Sequence, residues 1–171
     1  MKTLQHILFQ ASLLLLGVSL LAACSEPVTQ RSAAAPEPHH YDLQLNLPDF
    51  MNMVLDPISD VLWDNAGWID DINTGYAELY PTNDEEWHNV QIGAAQLIEA
   101  GNALALPGRA LDNDGWITYS NALSTAAAMA FDAAAAQNKE DFFQAGAQVY
   151  SVCTACHQTY NPAIISKFVN N

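Results

Sequence analysis

From Leu47 onward apolar residues return every three or four positions, with polar residues falling on the opposite side of a 3.6-residue helix. Phe50/Met51, Val54/Leu55, Ile58 and Val61/Leu62 make one such face and predict a first helix over about 47–66. Pro57 interrupts it. Proline has no N–H to give the carbonyl of Met53, so either the helix kinks or Asp56 caps a second segment with Pro57 at its first position. A second helix is predicted from the capping-box pair Thr82 and Glu85, followed by Trp87, Val90, Ala94 and Leu97/Ile98, with Gly101 as its end. After the turn Pro107-Gly108, a third helix is predicted from Asp112–Asp114 to Gln137, turning Trp116, Tyr119, Leu123, Ala127 and Ala130 inward. The fourth opens at Asn138 and carries Phe142, Gly146, Val149/Tyr150, Cys153, Cys156/His157 and Tyr160 on its inner face, stopping before Pro162. No segment shows the period-two alternation of a strand. The expected fold is all-α, an antiparallel four-helix bundle over residues 47–171.

The pattern before Leu47 is different. Residues 1–23 combine Lys2, an apolar run from Leu13 to Leu21 and a small-residue exit, which reads as a secretory signal too short for a spanning helix. The exit Leu21-Ala22-Ala23-Cys24 resembles the lipobox of bacterial lipoproteins, which makes Cys24 the expected lipidated first residue of the mature chain. Ser25 resembles the sorting position of lipoproteins sent to the outer membrane. The expected location is therefore the bacterial periplasm, on a lipid anchor that favours the outer over the inner membrane. Residues 24–46 carry Pro27, Pro36, Pro38 and a short alanine run with little apolar content, as expected of a tether. A flexible coil of that length spans about 25 Å on average and about 65 Å when stretched. His39 and His40 on it are read as a solvated pair.

Charge narrows the partners. The formal net charge is −14, and all 19 Asp and Glu lie beyond Cys24, where the only Lys and Arg are Arg31, Arg109, Lys139 and Lys167. Such a field repels nucleic acid and anionic lipid and steers a basic protein partner, an effect that salt weakens.

The chemistry sits late in the chain. Cys153-Thr154-Ala155-Cys156-His157 has the C-x-x-C-H spacing that attaches one c-type haem: two thiols one helical turn apart reach two vinyl groups, and the next imidazole meets the iron. Cys153 and Cys156 are thus the expected covalent attachment sites and His157 the proximal iron ligand. A thioredoxin-like dithiol would need its C-x-x-C at a helix N-terminus in an α/β pattern, and a zinc site would need a second ligand pair; neither set of companions is present. With 3 cysteines in all, one assigned to lipid and two to haem, no thiol is left over for an oxidising compartment.

Four helices with C-x-x-C-H near the end of the fourth resemble the class II c-type cytochromes, the cytochrome c prime family and its low-spin relatives. The resemblance covers about residues 47–160. It implies a single-electron carrier and not an enzyme, with redox proteins as partners and a homodimer through the first two helices as one assembly. In the low-spin relatives a methionine of the first helix ligates the iron opposite the histidine, and no methionine follows His157. Met51 and Met53 point about 200° apart on a helix. Met51 shares the apolar stripe and is the expected distal ligand, with Met53 the alternative. Met53 and Met129 are otherwise expected to pack. If Met51 does not bind, the resemblance implies a five-coordinate iron open to NO or CO. Arg109, the only arginine of the folded region, is a candidate to pair with a haem propionate. His88 is read as solvated or capping, and Trp63, Trp68, Trp87 and Trp116 as core or haem-wall residues.

Overall fold

The computed structural model describes residues 40–163. The expected signal peptide, the lipidation site Cys24, His39 and the tether up to that point lie outside the described residues; His40 is exposed.

Among the described residues there are four helices and one small sheet. Helix α1 is assembled from α-helical Leu47–Phe50, π-helical Met51–Leu55 and α-helical Asp56–Trp63. Asn46 starts it by accepting the backbone N–H of Asp49 at 2.9 Å, and Pro48 occupies the first turn, where its missing N–H has no intrahelical acceptor to satisfy. At Pro57 the chain neither stops nor restarts. Asp56 is itself helical, with φ −59° and ψ −56°, so it does not cap a separate segment. Its N–H reaches back five residues to Met51, and this wider π turn lies where Pro57 cannot donate.

Strands β1 (Trp68–Asp71) and β2 (Gly75–Glu78) form an antiparallel hairpin. Among the described residues the all-α expectation holds outside this hairpin, which lacks the alternation of a half-buried strand because nearly all of it is exposed and neither face needs to be apolar. Its turn chemistry is nevertheless legible. Asp71 accepts the N–H groups of Asn73 and Thr74 at 2.8 and 3.1 Å, and Gly75 supplies φ +79°. The hairpin is held to the helices by Trp68 stacked on Phe143 and by the ion pair Lys139–Glu78 at 2.5 Å.

Helix α2 spans Asp84–Leu104. Its cap is Asn83, accepting from Glu86, while the Glu86 carboxylate takes the N–H and hydroxyl of Thr82. The box therefore lies one residue later than Thr82/Glu85, and Gly101 does not end the helix. A Cβ there would collide with Ser124 and crowd the Ser120 carbonyl, so Gly101 serves the close approach of the next helix. Helix α3 (Gly115–Ala135) is capped by Asp112, whose Oδ1 accepts the N–H groups of Asp114 and Trp116 at 2.9 and 3.0 Å. Helix α4 (Lys139–Tyr160) starts on Asn138, which accepts from Asp141 at 3.1 Å.

Helix α1 packs on α2 and α4, α2 packs on α3, and α3 packs on α4. Leu104 at the end of α2 meets Trp116 at the start of α3, and Gln137 just past the end of α3 meets Asp84 at the start of α2. Helix α3 therefore runs opposite to α2. Phe142, Leu62, Leu97, Val90 and Val149 are fully buried between the helices. Burial of this kind contributes roughly 1.5–3 kcal/mol per side chain. Trp87 belongs to this core, edge-on to Phe142, whereas Trp68 is 57% exposed and does not.

Candidate functional site

The Cys153–His157 run occupies the last two turns of α4, and the period of the helix puts Cys153, Cys156, His157 and Tyr160 on one side. That side closes a cavity of about 760 Å³ reached by all four helices. Met51, Leu55, Ser59 and Trp63 line it from α1, Leu104 from α2, Trp116 and Leu123 from α3, and the two cysteines and the histidine from α4. The volume falls within the range of about 300–1,000 Å³ usual for cofactor pockets. Its walls are mostly apolar, with Asn52, Asp56 and Gln158 among the polar residues that border it, and several other polar groups in them are satisfied by the protein. The Trp63 indole donates to the Gly146 carbonyl at 3.1 Å, that of Trp116 to the Leu104 carbonyl at 2.7 Å, and the Ser120 hydroxyl to the Trp116 carbonyl at 2.8 Å.

Burial sets the protonation of the three motif residues. It pushes the Cys153 thiol up to about 11, with the neighbouring Cys156 and then Asp56 adding to the rise. It also raises Cys156, and it lowers His157. A neutral imidazole with a free lone pair is the form that ligates a metal. Thiols held protonated, at the negative end of a helix dipole, are the reverse of the lowered thiol pKa that a redox dithiol depends on. Neither cysteine is in a disulfide.

The structure separates the methionines. Met51 lines the cavity with His157, whereas Met53 is 66% exposed beside the outer groove between α1 and α2, and Met129 is 49% exposed on α3. The expectation that these two pack is corrected: each falls on the solvent side of its helix. Arg109 does not line the cavity. Its guanidinium sits 4.0 Å from the centroid of the Phe50 ring and donates to the Ala103 carbonyl at 3.4 Å, holding the loop after α2 against the start of α1. His88 is exposed on α2.

The inner face of α4 places Tyr160 as expected, but its partners come from another helix. Tyr160 donates a short hydrogen bond to Asp112, packs edge-on to Trp116 and Tyr119, and so fastens the end of α4 to the cap of α3. Ser59, eight residues after Met51 on α1, also lines the cavity. A porphyrin fits these surroundings. The cavity offers an apolar slot, two thiols one turn apart, an imidazole and, from a helix about a hundred residues earlier, a thioether. Compared with models of protein families, with curated proteins and with solved structures, the chain matches none of them.

Proposed function

We propose that this chain is an exported, lipid-anchored c-type cytochrome that carries single electrons between redox proteins. Its helical region is an antiparallel four-helix bundle whose core one covalently attached haem completes. The observation that carries the reading is the convergence of Met51, Cys153, Cys156 and His157 on one apolar cavity.

The haem, when bound, supplies a one-electron ferric/ferrous couple. Cys153 and Cys156 would hold it by thioether bonds. Neutral His157 and Met51, which line the same cavity, would ligate its iron, a pair that raises the reduction potential and leaves no exchangeable position. Trp63, Trp116, Leu55 and Leu123 keep water from the buried wall, and the indole hydrogen bonds to Gly146 and Leu104 lock two of these walls in place.

The test is an optical spectrum of the native protein and of two variants. The native protein is expected to be low-spin and inert to CO. Met51→Ala converts it to a high-spin, CO-binding form, while Met53→Ala leaves the spectrum unchanged. A high-spin native protein that binds CO readily overturns the electron-relay reading in favour of gas binding. A spectrum lost with Met53 in place of Met51 overturns the ligand assignment.

A further inference from the structure

Of the eleven large apolar side chains that stand exposed among the described residues, four fall on the hairpin 68–78: Trp68, Ile69, Ile72 and Tyr76. Residues paired across the two strands point to the same side of the sheet, so the register sorts them. Trp68, paired with Glu78, lies on the side that meets α4, through its stack on Phe143 and the Glu78–Lys139 ion pair. Ile69, paired with Ala77, lies on the other side, where both are exposed, and Ile72 at the turn is 99% exposed. An isoleucine left in water contributes nothing to the fold, and neighbouring apolar groups left there together mark a contact surface.

The surface continues from the hairpin to the cavity. Phe143, beneath Trp68, and Tyr150 stand seven residues apart, hence on one face of α4 and about 10 Å apart along its axis. Helix α4 carries no charged residue from Phe143 to Tyr150, and Ala147 between them is exposed. Tyr150 is 61% exposed and packs edge-on to Trp63, and both rings border the cavity. Around this strip the charge has one sign. Residues 40–108, which include α1, the hairpin and α2, hold 12 Asp and Glu and no Lys or Arg. Asp64 and Asp70 are exposed before and on the hairpin, and Glu140 is exposed one turn before Phe143. Aromatic and aliphatic groups inside a charged rim have the anatomy of a protein–protein contact. A second copy of the chain, or an anionic lipid, brings negative charge against that rim, whereas a cationic rim complements it.

We infer that the outer side of the hairpin and the Phe143–Tyr150 face of α4 are the docking surface for a redox protein whose contact patch is apolar at its centre and ringed by lysine or arginine. The inference rests on the cytochrome reading above, because the cavity behind Trp63 and Tyr150 makes this strip the route to the redox centre. One electron passes from the reduced to the oxidised protein across it, and no bond is made or broken.

The experiment uses the native haem-loaded chain, with a small mono-haem cytochrome c of net positive charge as the probe partner, and reads the dissociation constant and amide hydrogen exchange. The probe is expected to slow exchange in residues 68–78. Ile69→Lys and Ile72→Lys, both at exposed positions, are expected to raise the dissociation constant on the order of tenfold. Met129→Lys makes the same change of charge on α3 and is expected to alter it by no more than about twofold. Equal weakening by all three variants, or a hairpin whose exchange the probe leaves unchanged, overturns the inference. A dimer of the native chain that Ile72→Lys splits in sedimentation gives the surface to a second copy and overturns it. So does slowed exchange of the hairpin on phosphatidylglycerol vesicles relative to neutral detergent, which gives it to lipid. Intact mass of the same preparations separates the two levels: covalent haem on Cys153 and Cys156 leaves the cytochrome reading standing when docking fails, whereas a chain without it ends both.

Discussion

Tyr160 and Asp112 shift each other's ionisation in opposite directions. The Tyr160 hydroxyl, with help from the Trp116 and Asp114 N–H groups, holds the Asp112 carboxyl below its ordinary range, and the carboxylate in turn pushes Tyr160 up to about 12. A depressed acid stabilises the fold above its unfolded pKa and loses that contribution as pH falls through the folded value. A raised tyrosine holds its contribution below its unfolded pKa near 10 and loses it as pH rises toward about 12. The latch between α4 and the α3 cap is therefore intact across the neutral range and weakens at both ends. Asp112→Asn is expected to return Tyr160 toward the ordinary tyrosine value, read as the absorbance of tyrosinate in an alkaline titration. A Tyr160 that still titrates near 12 in that variant means that burial, not Asp112, sets its pKa.

At the scale of elements, small residues set how closely the helices approach. Helix α3 buries Ala126, Ala127, Ala130, Ala133 and Ala134, and helix α2 answers with Gly93 against Val61 and Gly101 against Ser124. At Gly101 the obstruction includes backbone atoms of Ser120 and Ser124, so a side chain cannot be accommodated by a rotamer change alone. Gly101→Val is expected to destabilise by about 1–3 kcal/mol through overpacking, measured as a shift of the urea midpoint at unchanged slope. An unchanged midpoint would mean that α2 and α3 slide apart freely. The same element scale explains the boundaries that differ from the pattern. A glycine late in an amphipathic run resembles a stop signal, and only the neighbour α3 reveals that Gly101 is there for contact. The hairpin 68–78 escaped the pattern because it borders no core, and its signals are the local ones of Asp71 and Gly75.

For the whole molecule, charge and attachment carry the consequences. Within the described residues Lys139 is engaged by Glu78, and Arg109 by Phe50 and Ala103. The surface left for partners is therefore dominated by acids. Electron transfer to a basic redox protein is expected to slow steeply between low and physiological salt, with a Debye length of about 8 Å at the latter; a rate indifferent to ionic strength would remove electrostatic steering from the account. Among the described residues no helix is long and apolar enough to cross a membrane. The proposed membrane attachment rests on Cys24 alone, and mass spectrometry of the mature N-terminus is expected to find it lipidated. An unmodified Cys24 ends the lipoprotein proposal.

Much of this protein is written locally. A 3.6-residue period, Asn138 as a cap and a proline after Tyr160 determine where helices form, because each acts through neighbours within a turn or two. The C-x-x-C-H run is equally local, since three reactive groups within five residues share one helix face whatever surrounds them. What folding alone decided are relations between distant segments. Met51 and Met53 are both apolar residues of one helix, and only the packing of α1 against α4 turns the first toward His157 and leaves the second in solvent. Burial is a property of the assembled surface, so the partner a side chain meets is settled only when the helices close around it.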